Sequence, residues 1–234
     1  MKEQHYLWSL KHNGLIDRAM VSFSITQNGM KETPYALFGG YNSTQIVGGA
    51  SGLKTFKNHP NTFNTWSLLG QGMTYGSQIF SDEEAQAIVD TGSSQLSVPP
   101  KVFDQMAAKW RETVPNLVCK PSKTFCFVEE PCETVVQKLQ PIGFQLSDYV
   151  FELNPEEFLF KARKNTCFFV IHKTGTEGND SNMYMIGDLF LQHFYSVYDF
   201  DKDEVSLGVN SHSKDKVHMY EPGNRPESLE QQSS

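Results

Sequence analysis

Short runs of alternating apolar and polar residues, divided by turn-forming residues, dominate the chain. Val21, Phe23 and Ile25 share one face of a strand expected over residues 21–26, and Tyr35-Ala36-Leu37-Phe38 forms a second that stops at Gly39-Gly40. Ile142, Phe144 and Leu146, then Tyr149, Phe151 and Leu153, alternate on either side of Ser147-Asp148, which is the pattern of a β-hairpin. Further strands are expected at 65–69, 78–80 and 185–186, with a last hairpin of 194–200 and 205–209 around Asp201-Lys202-Asp203. Ala87-Ile88-Val89 does not alternate. Being wholly apolar, it reads as a buried strand that feeds directly into Asp90.

Helical spacing is rarer. Residues 6–15 predict a short helix closed by Asn13-Gly14. Val102, Phe103, Met106, Ala107 and Trp110 form the core-facing stripe of another, with Pro99-Pro100 at its start. Asn154-Pro155-Glu156-Glu157 has the cap, proline and acids of a helix start, and residues 188–193 predict a short helix opened by Asp188. Residues 30–32 look like loop. Residues 211–234, poor in apolar side chains, are expected to form a polar, disordered tail. The balance is mainly β with short helices.

Composition narrows the function classes. The 234 residues carry a formal net charge of -7, with no basic stripe to neutralise phosphates, which argues against nucleic acid as partner. No apolar run approaches the about 18 residues of a membrane span, and Met1-Lys2-Glu3-Gln4-His5 shows no apolar signal core. Cys119, Cys126, Cys132 and Cys167 make an even count, which suits two disulfides and an oxidising compartment. Free thiols are the alternative. Zinc is disfavoured because no C-x-x-C pair or matching histidine spacing is present, and nothing in the pattern asks for another metal or a cofactor. The acidic turn at 199–204 lacks the residue order of a calcium loop and reads as a solvated hairpin end.

The chemistry centres on Asp90-Thr91-Gly92-Ser93-Ser94. A buried strand brings a carboxylate to a protected spot, Gly92 permits a tight turn and close approach of a substrate chain, and the Thr91 and Ser93 hydroxyls can hold the carboxylate. The same five residues also suit an ordinary polar turn. The apolar strand before them, Leu96-Ser97-Val98 and the helix behind favour the functional alternative.

With those flanks, Ala87-Ile88-Val89-Asp90-Thr91-Gly92-Ser93-Ser94-Gln95-Leu96 resembles the second catalytic motif of the pepsin and cathepsin D family of aspartic proteases. Gly14-Leu15-Ile16 with Val21-Ser22-Phe23-Ser24-Ile25 resembles the segment that crosses between that family's two lobes. Leu37-Phe38-Gly39-Gly40 resembles the strand and turn that follow. Met185-Ile186-Gly187-Asp188, Phe190 and Phe194-Tyr195-Ser196-Val197-Tyr198-Asp199 resemble its closing ψ-loop and last hairpin. The likeness covers residues 6–209. It implies one lobe, the C-terminal one, of the bilobal pepsin-like fold, a double-psi-type β-barrel. Residues 1–26 would be the inter-lobe helix and strand, 27–210 the lobe and 211–234 the tail.

That resemblance also implies an aspartic endopeptidase without cofactor, acting on peptide or protein substrates in a lysosomal, vacuolar or extracellular setting. Asp90 would be one catalytic carboxylate. Thr91 would brace the partner loop, while Gly92 and Ser93 line the cleft. Cys132 and Cys167 match a disulfide of this lobe; Cys119 and Cys126 match no family pair, and a short local bridge is one alternative for them. Only one Asp-Thr-Gly occurs, so the other carboxylate is expected from an N-terminal lobe, in a longer chain or a second polypeptide. A lobe kept as a peptide-binding module and a homodimeric protease are the competing expectations. Asp188 is expected to be structural, and His172 and His193 to have core or surface roles without partners. Asn42-Ser43-Thr44 and Asn179-Asp180-Ser181 are glycosylation sequons in expected loops.

Overall fold

The computed structural model describes residues 6–26, 32–60, 64–76, 78–81, 83–119, 125–175, 182–226 and 229. Helix α1 (Tyr6–His12) ends in the left-handed stop that Asn13-Gly14 predicts: Gly14 has φ 69°, its N–H donates to the Lys11 carbonyl, and Leu15 N–H reaches the Leu10 carbonyl. Strands β1 (Met20–Ser24), β2 (Tyr35–Phe38), β3 (Lys54–Lys57), β4 (Ser67–Tyr75), β5 (Gln78–Ser81), β6 (Ala85–Val89) and β7 (Leu96–Val98) follow. Helix α2 (Pro100–Thr113) lies between β7 and the short strands β8 (Val118–Cys119) and β9 (Cys126–Val128). After α3 (Cys132–Val135) come β10 (Ile142–Leu146), β11 (Tyr149–Leu153), β12 (Leu159–Arg163), β13 (Thr166–Phe169), β14 (Ile171–Lys173) and β15 (Met183–Ile186). Helix α4 (Asp188–Leu191), β16 (Phe194–Asp199), β17 (Glu204–Val209) and β18 (Val217–Tyr220) complete the order.

Three sheets share one core. A five-stranded sheet runs β2-β1-β16-β17-β3. A long curled sheet runs β14-β7-β15-β6-β4-β10-β11-β18, with β5 paired to β4, and a four-stranded sheet runs β12-β13-β9-β8. This mainly β architecture is that of a pepsin-like lobe. The α2 stripe is fully buried, and Trp110 packs on Phe169 at 4.6 Å and Phe158 at 6.1 Å between ring centroids. Burying such aromatic side chains contributes about 1.5–3 kcal/mol each. Disulfides join Cys119 to Cys126, directly across β8 and β9, and Cys132 to Cys167, from α3 to β13.

Several elements differ from the sequence expectations. The helix start at Asn154 makes only one 3-10 turn, Pro155–Phe158, and the chain then enters β12 because β13 offers it a backbone partner. β4 continues through Gly70 to Tyr75 instead of stopping near Leu69. Gly70 marks a close approach there: a Cβ would lie 2.7 Å from the Tyr184 ring. The expected tail does not begin at Ser211. Residues 217–220 return as β18 to pair with β11, and Val217 is buried.

Candidate active site

Asp90 stands where β6 leaves the long sheet. β6 runs parallel to β15, with Val89 opposite Ile186, and β15 pairs antiparallel with β7 on its other side. The turn joining β6 to β7 therefore crosses the end of β15 in a ψ-shaped path. Val89 N–H donates to the Trp66 carbonyl at 2.8 Å and Asp90 N–H to the Ile186 carbonyl at 3.0 Å, which fixes the backbone up to the carboxylate. Gly92 N–H then donates to Asp90 Oδ1 at 2.8 Å, and Ser93 N–H to the Asp90 carbonyl at 3.2 Å. The carboxylate is thus aimed by a charge-assisted backbone hydrogen bond. Sequence reasoning assigned that work to hydroxyls. Instead, Ser93 Oγ accepts from Gln95 N–H at 3.4 Å. Asp90, Thr91 and Ser93 are half-buried, and Gly92 is exposed.

The far side of the turn is stapled to residues 187–188. Gly187 N–H donates to the Gln95 carbonyl at 2.9 Å and Asp188 N–H to the Ser93 carbonyl at 2.7 Å. The packing leaves no room for a side chain at Gly187, since a Cβ would fall 2.3 Å from the carbonyl oxygens of both Ser93 and Gln95.

Asp188 opens α4, as expected, and it also belongs to the electrostatics of the site. Burial, and secondly the charge of Asp90, push its carboxyl above the ordinary range. Its Oδ1 is sealed from solvent with no hydrogen-bond partner among the described residues. Tyr198 lies below, its ring 5.6 Å from Trp66 and 5.8 Å from Phe23. Burial raises its hydroxyl; a contact with Ser196 opposes this, while the charges of Asp90 and Asp188 add to it. No sequence signal marks Tyr198, whose alternation in β16 reads as core.

The histidines take core and half-buried places as expected, but not without partners. His172 is half-buried beside Phe125, ring to ring at 5.8 Å, and burial lowers its pKa. His193 is wholly buried and has partners, with Ser213 Oγ 3.0 Å from Nδ1 and Glu157 Oε2 3.3 Å from Nε2. Spacing could not show this, because 20 residues separate His193 from Ser213 and the contact is made by tertiary folding. Asn42 caps the turn Ser43–Gln45, its Oδ1 accepting from Thr44 N–H at 3.1 Å and Thr44 Oγ1–H at 2.8 Å. The sequon at Asn179 lies outside the described residues. Among those residues no cluster of three or more His, Cys, Asp or Glu is placed to hold a metal ion, and no helix is long and apolar enough to cross a membrane.

A family model described as eukaryotic aspartyl protease matches residues 2–210. The chain is 26% identical over 153 residues to a probable aspartic-type endopeptidase CTSD of Arthroderma otae, covering 64% of this chain and 37% of that protein. It is 24% identical over 196 residues to vacuolar protease A of Neurospora crassa, covering 83% and 45% respectively. With cathepsin E of Mus musculus it shares 26% identity over 176 residues, covering 73% and 40%. The chain spans less than half the length of these curated relatives.

Proposed function

The chain belongs to the eukaryotic aspartyl protease family, and on that premise we propose that it serves aspartic-type endopeptidase chemistry with Asp90 as its reacting carboxylate. The observation that carries this proposal is the Asp90 turn: a carboxylate at the end of a buried strand, aimed by Gly92 N–H at 2.8 Å and half open to solvent. In this chemistry two carboxylates flank one water and share a proton, because like charges so close do not both ionise. The charged one takes a proton from the attacking water, and the protonated one donates to the scissile carbonyl oxygen.

Asp90 is one of that pair. Asp188 does not fit as the other, since its Oδ1 is sealed from solvent. We assign the second carboxylate to a further lobe, in the same longer polypeptide or in another one. Thr91 braces the loop of that lobe. Gly92, exposed, lets a peptide backbone come close, and Ser93 lines the cleft. Two disulfides, and relatives named as vacuolar proteases, favour a vacuolar, lysosomal or extracellular setting.

The test is cleavage of an unfolded protein substrate across acidic pH, with the chain alone over a wide concentration range and with an N-terminal lobe supplied, each beside Asp90→Asn. Cleavage that needs both the added lobe and Asp90 supports the assignment. Cleavage by the chain alone that rises with the square of its concentration points to two copies of Asp90 in one dyad. Substrate binding without cleavage under every condition would replace the peptidase by a binding module.

A further inference from the structure

Residues 211–226, which follow the family-matched region, are fastened to the lobe at two buried places. The first is the end of α4. There Ser213 Oγ meets His193 Nδ1 at 3.0 Å, and His193 Nε2 lies 3.3 Å from Glu157 Oε2 and 3.2 Å from Gln192 Nε2. Lys216 Nζ sits 3.7 Å from Glu157 Oε1, and His212 Nε2 meets the Gln192 carbonyl at 2.8 Å. The second place is Glu152 on β11, which is fully buried. Arg225 grips it with Nε at 2.9 Å and Nη2 at 3.1 Å, and the Tyr220 hydroxyl donates to it at 2.6 Å. Between the two, β18 lies along β11 from Val217 to Tyr220.

The first anchor suits a neutral imidazole. The Gln192 amide Nε2 donates to His193 Nε2, Ser213 Oγ meets Nδ1, and Lys216 balances the Glu157 carboxylate. The charged and titratable groups facing His193 are Glu157 from the 3-10 turn and Lys216 and His212 from the segment itself. A proton on His193 would place a second positive charge beside Lys216 in a dry site, and with N–H on both ring nitrogens would set Nε2–H against the Gln192 amide donor 3.2 Å away. α4 is only four residues long, and its first end holds the Asp90 turn through Gly187 and Asp188.

We propose that residues 211–226 form a strap that positions α4, and through it the Asp90 turn, and that proton uptake by His193 releases the strap. Calling the positioned turn an active site rests on the function proposed above; the strap and its release do not. Burial, then Lys216 and His212, hold the His193 pKa down to about 3, against 6.5 for an unperturbed imidazole. Between those values the released form binds a proton that the strapped form excludes. Each unit of falling pH therefore favours release about tenfold.

Hydrogen exchange of the full chain, corrected for its intrinsic pH dependence, tests this without any peptidase activity. Protection of the amides of 217–220 should fall about fiftyfold between pH 6.5 and 4.5, with 187–193 falling in step and the β16–β17 hairpin unchanged. His193→Gln, which cannot titrate, should stay level. Protection of 217–220 that is flat with pH in the unaltered chain overturns the proposal, as does release of His193→Gln over the same range. Opening of 217–220 while 187–193 stay protected overturns the positioning of α4. Should His193→Gln not fold, the NMR titration of the His193 ring in the unaltered chain decides, since a proton uptake that does not coincide with loss of protection also overturns it.

Discussion

The Asp90 crossing and the four-stranded sheet β12-β13-β9-β8 are held in opposite ways. Around Asp90 the restraints are backbone hydrogen bonds and contacts too close for any side chain, as at Gly187. In the four-stranded sheet one disulfide ties β8 to β9 and another ties β13 to α3, Phe160 is 59% exposed, and Lys161 pairs with Glu133 at the surface. One region is set by atomic fit and tolerates almost no change of shape. The other is set by crosslinks and by a few buried side chains such as Val128 and Phe169, while outward ones such as Phe160 are free to vary. Positioning a carboxylate to a fraction of an ångström requires the first kind of restraint.

Gly187→Ala is the severest way to break the comparison. Its Cβ would collide with two backbone carbonyl oxygens, and a loss of about 3–4 kcal/mol or more is expected, seen as failure to fold or a collapsed urea midpoint. Removing the Cys132–Cys167 bridge, which closes 35 residues of sequence, should cost about 3–4 kcal/mol, and removing Cys119–Cys126, which closes 7, about 2–3 kcal/mol. Both losses should appear in the urea midpoint while amide protection at Asp90 and Gly92 persists. Loss of that protection would show that the crosslinks also shape the site.

Asp188→Asn sharpens the contrast through pH. A carboxyl whose folded pKa is raised favours the folded state at low pH and weakens it as pH rises through that value. The substitution should therefore raise the melting temperature at neutral pH, with the gain fading below the ordinary carboxylate range. A gain independent of pH would mean that neither burial nor Asp90 raises the Asp188 carboxyl. Phe160→Ser should be smallest, within about 0.5 kcal/mol, because the ring is already largely in water.

The same division explains what could be read from the sequence. The hairpin of β10 and β11 is legible because both strands alternate cleanly around a turn whose Ser147 takes φ 51°. α2 is legible from its stripe, and the Asp90 turn from the apolar run before it. β18 is not: Val217-His218-Met219-Tyr220 has little pattern of its own and becomes a strand because the β11 edge and buried Glu152 supply partners. Nor is the end of β4, where Gly70, which signals a break, makes room for Tyr184. At the site, the carboxylate was legible from its flanks. The Gly92 N–H that aims it, and the influence of Asp188 and Tyr198, depend on positions that no local spacing encodes.

β18 also decides how the molecule behaves in company. The long sheet ends in β14, three residues long, and in β18, four residues long. Edges so short give another chain few main-chain groups on which to build. Stripped of β18, the sheet would end in β11, five residues long and buried at four of them. That is a longer and more apolar template for strand-by-strand accretion. The strap that closes over Glu152 thus covers this edge, and an acid environment that lifts it would bare a site where aggregates begin.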